Sequence, residues 1–125
     1  MKIKLQVIIE SDDGQTETVQ EFAPLERGVL RSSQLGLTLV EAKTLFAGVQ
    51  RTMVEAQVEE YLAEQSACHE CGKKRLHKGA HTIVYRSLFG KLKLHSPRLF
   101  RCGCETQLSR TFSPLAELLT ERTAP

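Results

Sequence analysis

The first ten residues alternate between apolar and polar side chains, which is the period of a β-strand with one buried face. Asp12-Asp13-Gly14 follows and has the residue types of a tight turn. Residues 15–22 then alternate again. We therefore predict an N-terminal β-hairpin with strands at residues 1–10 and 15–22, which needs a packing partner because a lone hairpin is only marginally stable in water.

The next two predicted elements are helices. Pro24 begins a short helix that ends near Gly36, where glycine fits the helix cap. A longer helix begins at Thr38, because Thr38 and Glu41 have the spacing of a capping box. No proline interrupts the chain from there to Gln65. This second helix is therefore roughly 27 residues, or about 40 Å, long.

Two apolar stripes run along the long helix, and one partner surface cannot cover both. The first contains Ala42, Leu45, Phe46, Val49 and Met53, and the second contains Val54, Val58, Tyr61 and Leu62. We predict that the hairpin and the short helix cover the first stripe. The second packs either within the same chain or against a paired helix, a missing downstream domain or a second copy, which would make a homodimer through the 38–65 helix. Gly48 costs roughly 1 kcal/mol relative to alanine in this helix and permits the close approach of a neighbour.

From residue 67 onward the pattern changes to short β segments. The predicted strands are residues 81–86, 92–95 and 98–101. Pro97 lacks a backbone N–H, so we predict a bend between the last two strands rather than a central strand there. Ser113 and Pro114 then have the residue types of a helix cap and a first helical position.

Composition indicates a small chain with an uneven distribution of charge. The 125 residues suit one domain or two very small ones, and no apolar run approaches the about 18 residues of a membrane-spanning helix. The net charge of +2 hides a division: residues 1–65 hold 6 Lys and Arg against 11 Asp and Glu, whereas residues 66–125 hold 11 against 4. A basic module of this kind typically contacts phosphate, and the alternative is a solvated, lysine-rich surface.

Four cysteines carry the clearest candidate chemistry. Cys68 and Cys71 form a knuckle with Gly72, and Cys102 and Cys104 form a second pair later in the chain. Two short cysteine pairs on separate turns can supply the four tetrahedral ligands of one structural zinc ion, and Gly72 can adopt the positive φ that such a turn requires. We therefore predict one zinc ion with Cys68, Cys71, Cys102 and Cys104 as its ligands.

Two alternatives stay open for this site. The single residue between Cys102 and Cys104 makes a tight knuckle, so a histidine could replace one ligand. The candidates are His69, His77, His81 and His95. The other alternative is a disulfide or a set of unpaired thiols. No signal-peptide pattern begins the chain, which predicts a reducing, cytoplasmic location that favours metal over disulfide.

With the metal included, the pattern predicts an α+β fold: an N-terminal β-hairpin, a long α-helix, a C-terminal three-stranded antiparallel zinc ribbon and a short terminal helix. Three regions are predicted. Residues 1–66 form the hairpin and helical region, which can serve oligomerisation; residues 67–112 form the zinc ribbon; residues 113–125 form the start of a truncated helix. In so small a chain the metal would contribute much of the folding free energy.

The predicted ribbon is rich in cations. Lys91, Lys93 and His95 share one face of a strand because side chains alternate along it. Such a face can contact nucleic-acid phosphates with an affinity that falls as salt rises. The candidate nucleic-acid-binding residues are Lys73, Lys74, Arg75, Lys78, Arg86, Lys91, Lys93, Arg98, Arg101 and Arg110.

The residues argue against an enzyme. Four thiolates on one zinc ion leave no open coordination position for metal-assisted hydrolysis. His69 and Glu70 beside Cys71 are similar to part of a deaminase's His, Glu and Cys set, but the rest of that spacing is absent. The acidic residues of the first turn and the long helix are typical of a solvated surface.

Several short runs occur in a fixed order along the chain. They are residues 35–43 (LGLTLVEAK), 68–73 (CHECGK), 78–82 (KGAHT), 86–91 (RSLFGK), 96–98 (SPR), 102–104 (CGC) and 111–115 (TFSPL). Together they resemble the amino-terminal part of bacterial insertion-sequence transposases of the ISKra group, over essentially the whole chain. The cysteine knuckle alone is weakly specific, whereas the ordered set is fairly specific.

This resemblance implies the DNA-binding front part of a bacterial transposase, located in the cytoplasm with the nucleoid and partnered by transposon-end DNA. The family's catalytic domain with its acidic triad is missing from the chain, so the resemblance implies no strand transfer by it. Two rival hypotheses stay open. One is a protein-interaction or regulatory, antitoxin-like zinc module, which would ignore random DNA. The other is a redox or metal-storage role for the cysteines, which one tightly held zinc ion per chain would exclude.

Overall fold

The computed structural model describes residues 1–105 and 109–120 and confirms the predicted α+β fold. The strands are β1 (Lys2–Ile3), β2 (Gln6–Glu10), β3 (Glu17–Glu21), β4 (Leu25–Glu26), β5 (His77–Ser87), β6 (Gly90–Phe100) and β7 (Thr111–Phe112). The helices are α1 (Leu39–Gln65) and α2 (Pro114–Thr120), with a 3-10 turn at Ser32–Gln34. Within the described residues, no helix is both long enough and apolar enough to cross a bilayer.

The chain divides into two compact units. The first contains residues 1–53 and the tip of the β5–β6 hairpin at Leu88–Gly90. The second contains residues 54–87 and the chain from Lys91 onward. The division thus falls within α1, whereas the sequence places a boundary at residues 66 and 67, because the second half of α1 packs with the C-terminal sheet.

The N-terminal hairpin is longer than predicted and contains a bulge. β2 pairs antiparallel with β3, and β1 pairs antiparallel with β4. The register shifts by one residue between Ile3↔Leu25 and Gln6↔Glu21, so two residues of the first strand oppose three of the second, including Pro24. Proline has no N–H to give to a ladder and is tolerated at such a bulge. The single strand predicted at residues 1–10 is therefore two strands with separate partners.

The prediction of a short helix from Pro24 to Gly36 is wrong. This stretch contains β4, irregular chain and the 3-10 turn at Ser32–Gln34. The Arg27 side chain accounts for the irregular path, because Nε donates to the carbonyl oxygen of Gln34 at 3.0 Å and Nη2 donates to that of Gly36 at 2.9 Å. These bonds fix the loop in a folded but non-helical conformation.

The capping box at the start of α1 is confirmed. The Thr38 hydroxyl oxygen accepts the Glu41 N–H at 3.2 Å, and a Glu41 carboxylate oxygen accepts the Thr38 N–H at 2.9 Å. The same carboxylate binds the Arg27 guanidinium through two hydrogen bonds of 2.5 and 2.9 Å. The Arg27 bond first, and the Thr38 N–H second, lower the pKa of Glu41 to about 2. One glutamate therefore holds both the helix start and the loop before it.

The substitution Glu41→Gln is expected to lower thermal stability at neutral pH and to have little effect in acid. The folded-state pKa of about 2 lies below the ordinary value of 4.5, so the carboxylate contributes stability above pH 4.5 that is lost as the pH falls toward 2. Thermal unfolding of both proteins from about pH 7 down to about pH 3 measures the difference. A gap between the two midpoint temperatures that is unchanged in acid would contradict this role of Glu41.

Gly48 has the close neighbour that the sequence predicts. A Cβ atom at this position would lie 2.8 Å from Cε1 of Phe22, which is closer than real Cβ contacts. Phe22 follows β3 at the hairpin bulge. The first half of α1 therefore lies directly against the hairpin, and only glycine leaves room for the ring.

The C-terminal sheet has three strands in the order β5-β6-β7, but its strands differ from those predicted. The segments at 92–95 and 98–101 are one strand, β6, and the third strand is β7. β6 continues through Pro97 as one strand, and its pairing with β7 uses Leu99 and Phe100, so that ladder needs no N–H from the proline. Ser96 and Pro97 are both buried, so the alternation of inward and outward side chains shifts by one residue there.

The core of the second unit lies between the sheet and two helical segments. Leu92 and Leu94 of β6 are buried with Leu115 of α2. Partly buried neighbours complete this cluster: Val54, Val58, Leu62, Ile83, Tyr85 and Leu118. Three of these neighbours belong to the second apolar stripe of α1. Of the alternatives for that stripe, packing within the same chain is the one observed.

The terminal helix begins where the sequence predicts. α2 starts at Pro114, and the carbonyl oxygen of Ser113 accepts the Glu117 N–H at 3.0 Å. It is described as far as Thr120. Residues 121–125 of the predicted helix and residues 106–108 of the predicted ribbon lie outside the described residues.

Candidate metal centre

The first cysteine pair lies on a tight turn that follows α1. The Cys68 N–H donates to the carbonyl oxygen of Lys73 at 2.8 Å, and the Cys68 carbonyl oxygen accepts the Gly72 N–H at 2.9 Å. Gly72 has a φ of 74°, the positive angle predicted for it. The Arg75 N–H donates to the carbonyl oxygen of Ser66 at 2.8 Å. Backbone hydrogen bonds therefore fix the turn on both sides of the cysteine pair.

The second cysteine pair lies on a turn after β6. The Glu105 N–H donates to the carbonyl oxygen of Cys102 at 3.0 Å, and the Cys102 N–H donates to Oε1 of Glu105 at 2.7 Å. The Phe100 N–H, just before this turn, donates to the carbonyl oxygen of Leu76 at 2.9 Å. Because Leu76 follows the first turn, this bond brings the two cysteine turns side by side.

The four cysteine sulfurs meet between the two turns. The Sγ atoms of Cys68 and Cys104 are 3.4 Å apart. Those of Cys71 and Cys102 are 3.2 Å apart, and all four lie within 4.8 Å of one another. Four sulfurs at about 2.3 Å from a tetrahedral ion would be separated by about 3.8 Å, within this range. A disulfide needs about 2.05 Å, and all four thiols are free.

The donor set fits a metal ion that is bound by thiolate ligands alone. Within the described residues, the four cysteines are the one cluster of His, Cys, Asp or Glu side chains that could hold a metal ion. The candidate replacement ligands His69, His77, His81 and His95 are not part of it. The structure therefore favours four cysteines over three cysteines and a histidine.

Backbone N–H groups prepare two of the sulfurs to carry negative charge. The N–H groups of Cys71 and then Glu70 lower the pKa of the Cys68 thiol. The Cys104 N–H and then the Cys71 side chain lower the pKa of Cys102 to about 7. Hydrogen bonds to Cys68 and Cys102 instead raise the pKa of Cys104 far above its usual range. Four thiolates so close together repel one another, and a divalent cation is the ordinary means of holding them.

A buried ion-pair network lies behind the second turn. Oε1 of Glu105 accepts a hydrogen bond from Nη1 of Arg75, and Oε2 of Glu105 lies 3.6 Å from Nη1 of Arg101. The side chains of Arg75 and Glu105 are only 5 % and 14 % exposed. Both guanidinium groups lie over the ring of Phe112, at 4.8 and 4.5 Å from its centroid. The Cys102 N–H and then Arg75 lower the pKa of Glu105, so its carboxylate stays ionised.

This network joins the two cysteine turns. Arg75 leaves the first turn and Glu105 belongs to the second, so their ion pair helps to hold the turns at a fixed separation. Sequence reasoning missed Glu105. A signal was present, because Glu105 is the single acidic residue between Glu70 and Glu117 and directly follows Cys104.

The structure separates the predicted nucleic-acid-binding residues into two groups. Arg75 is buried and Arg101 is partly buried, and both bind Glu105. Their guanidinium groups are engaged with Glu105 inside the protein, and their assignment to DNA contacts stays a prediction. The other candidates are exposed: Lys73, Lys74, Lys78, Arg86, Lys91, Lys93, Arg98 and Arg110. Among these, Arg98 donates from Nε to the hydroxyl oxygen of Thr111 at 3.2 Å.

Several exposed cations lie together on the β5–β6 hairpin. Along β6, buried Leu92 and Leu94 alternate with exposed Lys91, Lys93 and His95. On β5, Arg86 is exposed and its neighbour Tyr85 packs on the core. Because side chains alternate between faces, Arg86, Lys91, Lys93 and His95 form one outward surface, which we call the basic hairpin face.

No protein-family model matches this chain, and no curated protein or solved structure is significantly similar to it. The resemblance to ISKra-group transposases therefore stays a prediction.

Proposed function

We propose that this chain is a zinc-ribbon module that binds double-stranded DNA through the basic hairpin face. The observation that carries the proposal is the exposure of Arg86, Lys91 and Lys93 on one face within a segment, residues 71–104, that contains no Asp or Glu. No carboxylate of that segment competes with phosphate for these side chains. Cations arranged in this way gain affinity for DNA by releasing its condensed counterions.

Zinc is the proposed metal because four soft thiolate ligands in a tetrahedral arrangement suit zinc, with iron as the other metal typical of such a site. A closed set of four ligands assigns the ion a structural role, which agrees with a module that binds rather than catalyses. Elemental analysis of the purified protein tests this. One zinc ion per chain supports the proposal, whereas iron or an absence of metal contradicts it.

Transposon-end DNA is the proposed biological ligand, on the strength of the resemblance to the ISKra group. In that role the chain holds a specific duplex while phosphate contacts supply most of the affinity. A competition assay between a transposon-end duplex and a random duplex of equal length tests this part separately. Preference for the transposon end supports it, and equal competition would leave general DNA binding without this specificity.

The double substitution Lys91→Glu and Lys93→Glu is expected to weaken DNA binding at least about tenfold on every sequence and to reduce the salt slope by about two. Both side chains are exposed, so folding should be preserved. Fluorescence anisotropy across a salt series measures affinity and slope together. The matched control is Lys4→Glu with Lys43→Glu, which makes the same charge change at exposed positions of the first unit.

The control variant also separates a local contact from the effect of total charge. If both double variants weaken binding equally, the basic hairpin face is not the contact surface. If the unsubstituted protein shows no salt-dependent binding to any duplex, the DNA proposal fails and the protein-interaction hypothesis takes its place.

A further inference from the structure

The four cysteine sulfurs form two close pairs, and each pair connects the two turns. The Sγ atoms of Cys71 and Cys102 are 3.2 Å apart, and those of Cys68 and Cys104 are 3.4 Å apart. In both pairs one cysteine belongs to the first turn and the other to the second. A disulfide bond needs about 2.05 Å, so each pair reaches bonding distance when its two sulfurs approach by about 1.2 to 1.4 Å.

Each pair also contains one exposed cysteine. Cys71 and Cys104 are exposed, whereas Cys102 is half-buried and Cys68 is buried. A small oxidant in solution therefore reaches one member of each pair, and the second member lies next to it. This is the arrangement of a thiol that is oxidised first and a neighbouring thiol that resolves it into a disulfide.

Two contacts that contain no cysteine side chain hold the turns side by side. The Phe100 N–H donates to the carbonyl oxygen of Leu76 at 2.9 Å. The buried ion pair of Arg75 and Glu105 joins the first turn to the second. The sulfurs of each pair therefore stay neighbours while the first disulfide forms. That first bond joins the turns before the other two thiolates react.

We infer that hydrogen peroxide converts the four cysteines into two cross-turn disulfides, Cys71–Cys102 and Cys68–Cys104, which replace the metal ion as the link between the turns. The inference rests on the proposed zinc site and adds to it a second, metal-free state in which the second unit stays folded. The bonded cysteines are 31 and 36 positions apart. A disulfide that closes so long a loop restricts the unfolded chain and thereby stabilises the folded one.

The chemistry balances for each pair. The Cys71 thiolate attacks one oxygen of hydrogen peroxide, the O–O bond breaks and hydroxide leaves, which gives a sulfenic acid at Cys71. The Cys102 thiolate then attacks that sulfur, the S–O bond breaks, a second hydroxide leaves and the S–S bond forms. The two sulfurs lose two electrons, and the peroxide gains them. Cys104 and Cys68 react with a second peroxide molecule in the same way, and no thiolate then remains to hold a zinc ion, which leaves as Zn²⁺.

Peroxide titration of the full, zinc-bound chain tests the inference. A chromogenic chelator should report one zinc ion released for every two peroxide molecules consumed. After partial oxidation, the unreacted thiols are alkylated in denaturant and located by tandem mass spectrometry. Molecules with one disulfide should carry labels either on Cys68 and Cys104 or on Cys71 and Cys102. Labels on both cysteines of one turn, or on Cys68 together with Cys102, would overturn the inference.

Hydrogen exchange distinguishes the two metal-free states of the chain. The oxidised chain should keep the amide protection of β5 and β6, whereas a chain treated with a chelator and kept reduced should lose it. Loss of protection in both states would overturn the inference, because the disulfides would then not replace the metal ion. Disulfide mapping needs no metal. If the purified chain holds no zinc, the zinc proposal fails, and the alkylation labels still decide the pairing.

Two double variants, each lacking two cysteines, give a matched comparison. Cys68→Ser with Cys104→Ser keeps one cross-turn pair, whereas Cys68→Ser with Cys71→Ser keeps only the cysteines of the second turn. In peroxide, the amides of β5 and β6 should be protected in the first variant and unprotected in the second. Equal protection of the two variants would show that a cross-turn disulfide does not hold the second unit together, and would overturn the inference.

Discussion

Replacing Cys71 with serine is expected to release the metal and unfold the second unit, while the first unit keeps its structure. Cys71 is exposed, so the substitution removes little packing and acts through the metal site. The buried apolar residues of the described chain all belong to the second unit, and they are few: Cys68, Leu92, Leu94, Leu99, Phe112 and Leu115, with the prolines Pro97 and Pro114. With so small a core, we expect the second unit to depend on the metal ion proposed for the four cysteines.

The magnitudes favour complete unfolding over a local change. A structural zinc site contributes about 10 kcal/mol or more at neutral pH, whereas whole domains are stable by about 5–15 kcal/mol. Loss of one of four ligands removes much of that contribution. The first unit does not contain these ligands, and its hairpin lies against the first half of α1 through Phe22 and Gly48. Loss of the metal therefore does not act on it directly, and its amides should keep the protection that they have in the unsubstituted protein.

Hydrogen exchange read segment by segment measures both outcomes in one experiment. Amides of β5 and β6 should lose protection in Cys71→Ser, and those of β2 and β3 should keep it. A chelator added to the unsubstituted protein should give the same pattern. The matched control is His69→Ala, which removes an exposed neighbour that sequence reasoning left open as a ligand and that the structure leaves outside the cluster. Metal loss in His69→Ala but not in Cys71→Ser would refute the four-cysteine site.

Features that depend on a few adjacent residues could be predicted from the sequence. The start of α1 is fixed by the hydrogen bonds between Thr38 and Glu41, three positions apart. The first cysteine turn is similar, because Gly72 supplies a positive φ where the chain must fold back. In each case the interaction partners are close in sequence, so the pattern itself contains the information.

Features that depend on distant partners could not be predicted. Arg75 has the appearance of a surface cation in the sequence, and only its meeting with Glu105 and Phe112 reveals a buried role. The third strand is Thr111–Phe112 rather than residues 98–101, because pairing with Leu99 and Phe100 selects it. The β-propensity of a segment alone does not indicate which other segment it will pair with.

Arg27 illustrates the same limit within the first unit. The residues from Pro24 to Gly36 are compatible with a helix by their types, but Arg27 binds the Glu41 carboxylate and the carbonyl oxygens of the loop instead. One side chain with several donors thereby decides the path of the loop. Such a tertiary contact overrides weak local propensity.

The substitution Glu105→Gln is expected to destabilise the second unit by about 3–5 kcal/mol and to weaken metal binding. Glutamine can still accept the Cys102 N–H, but it leaves the Arg75 guanidinium buried without a counter-charge. The matched control is Glu117→Gln, which makes the same chemical change at a side chain that is 61 % exposed and 3.8 Å from Arg101. Because exposed ion pairs contribute about 0–1 kcal/mol, the control should be close to neutral. Urea unfolding and competition with a metal chelator measure the two effects.

A double substitution distinguishes the loss of an ion pair from the loss of packing. Glu105→Leu alone should lower the stability of the second unit at least as much as Glu105→Gln does, because leucine also leaves the Cys102 N–H without its acceptor. Arg75→Met combined with Glu105→Leu removes the buried charge together with its partner, and replacing both members of a buried pair by apolar side chains is often nearly neutral. The double variant should therefore be more stable than Glu105→Leu. If it is instead less stable by the sum of the two single effects, Arg75 and Glu105 act independently and the ion pair does not hold the two cysteine turns together.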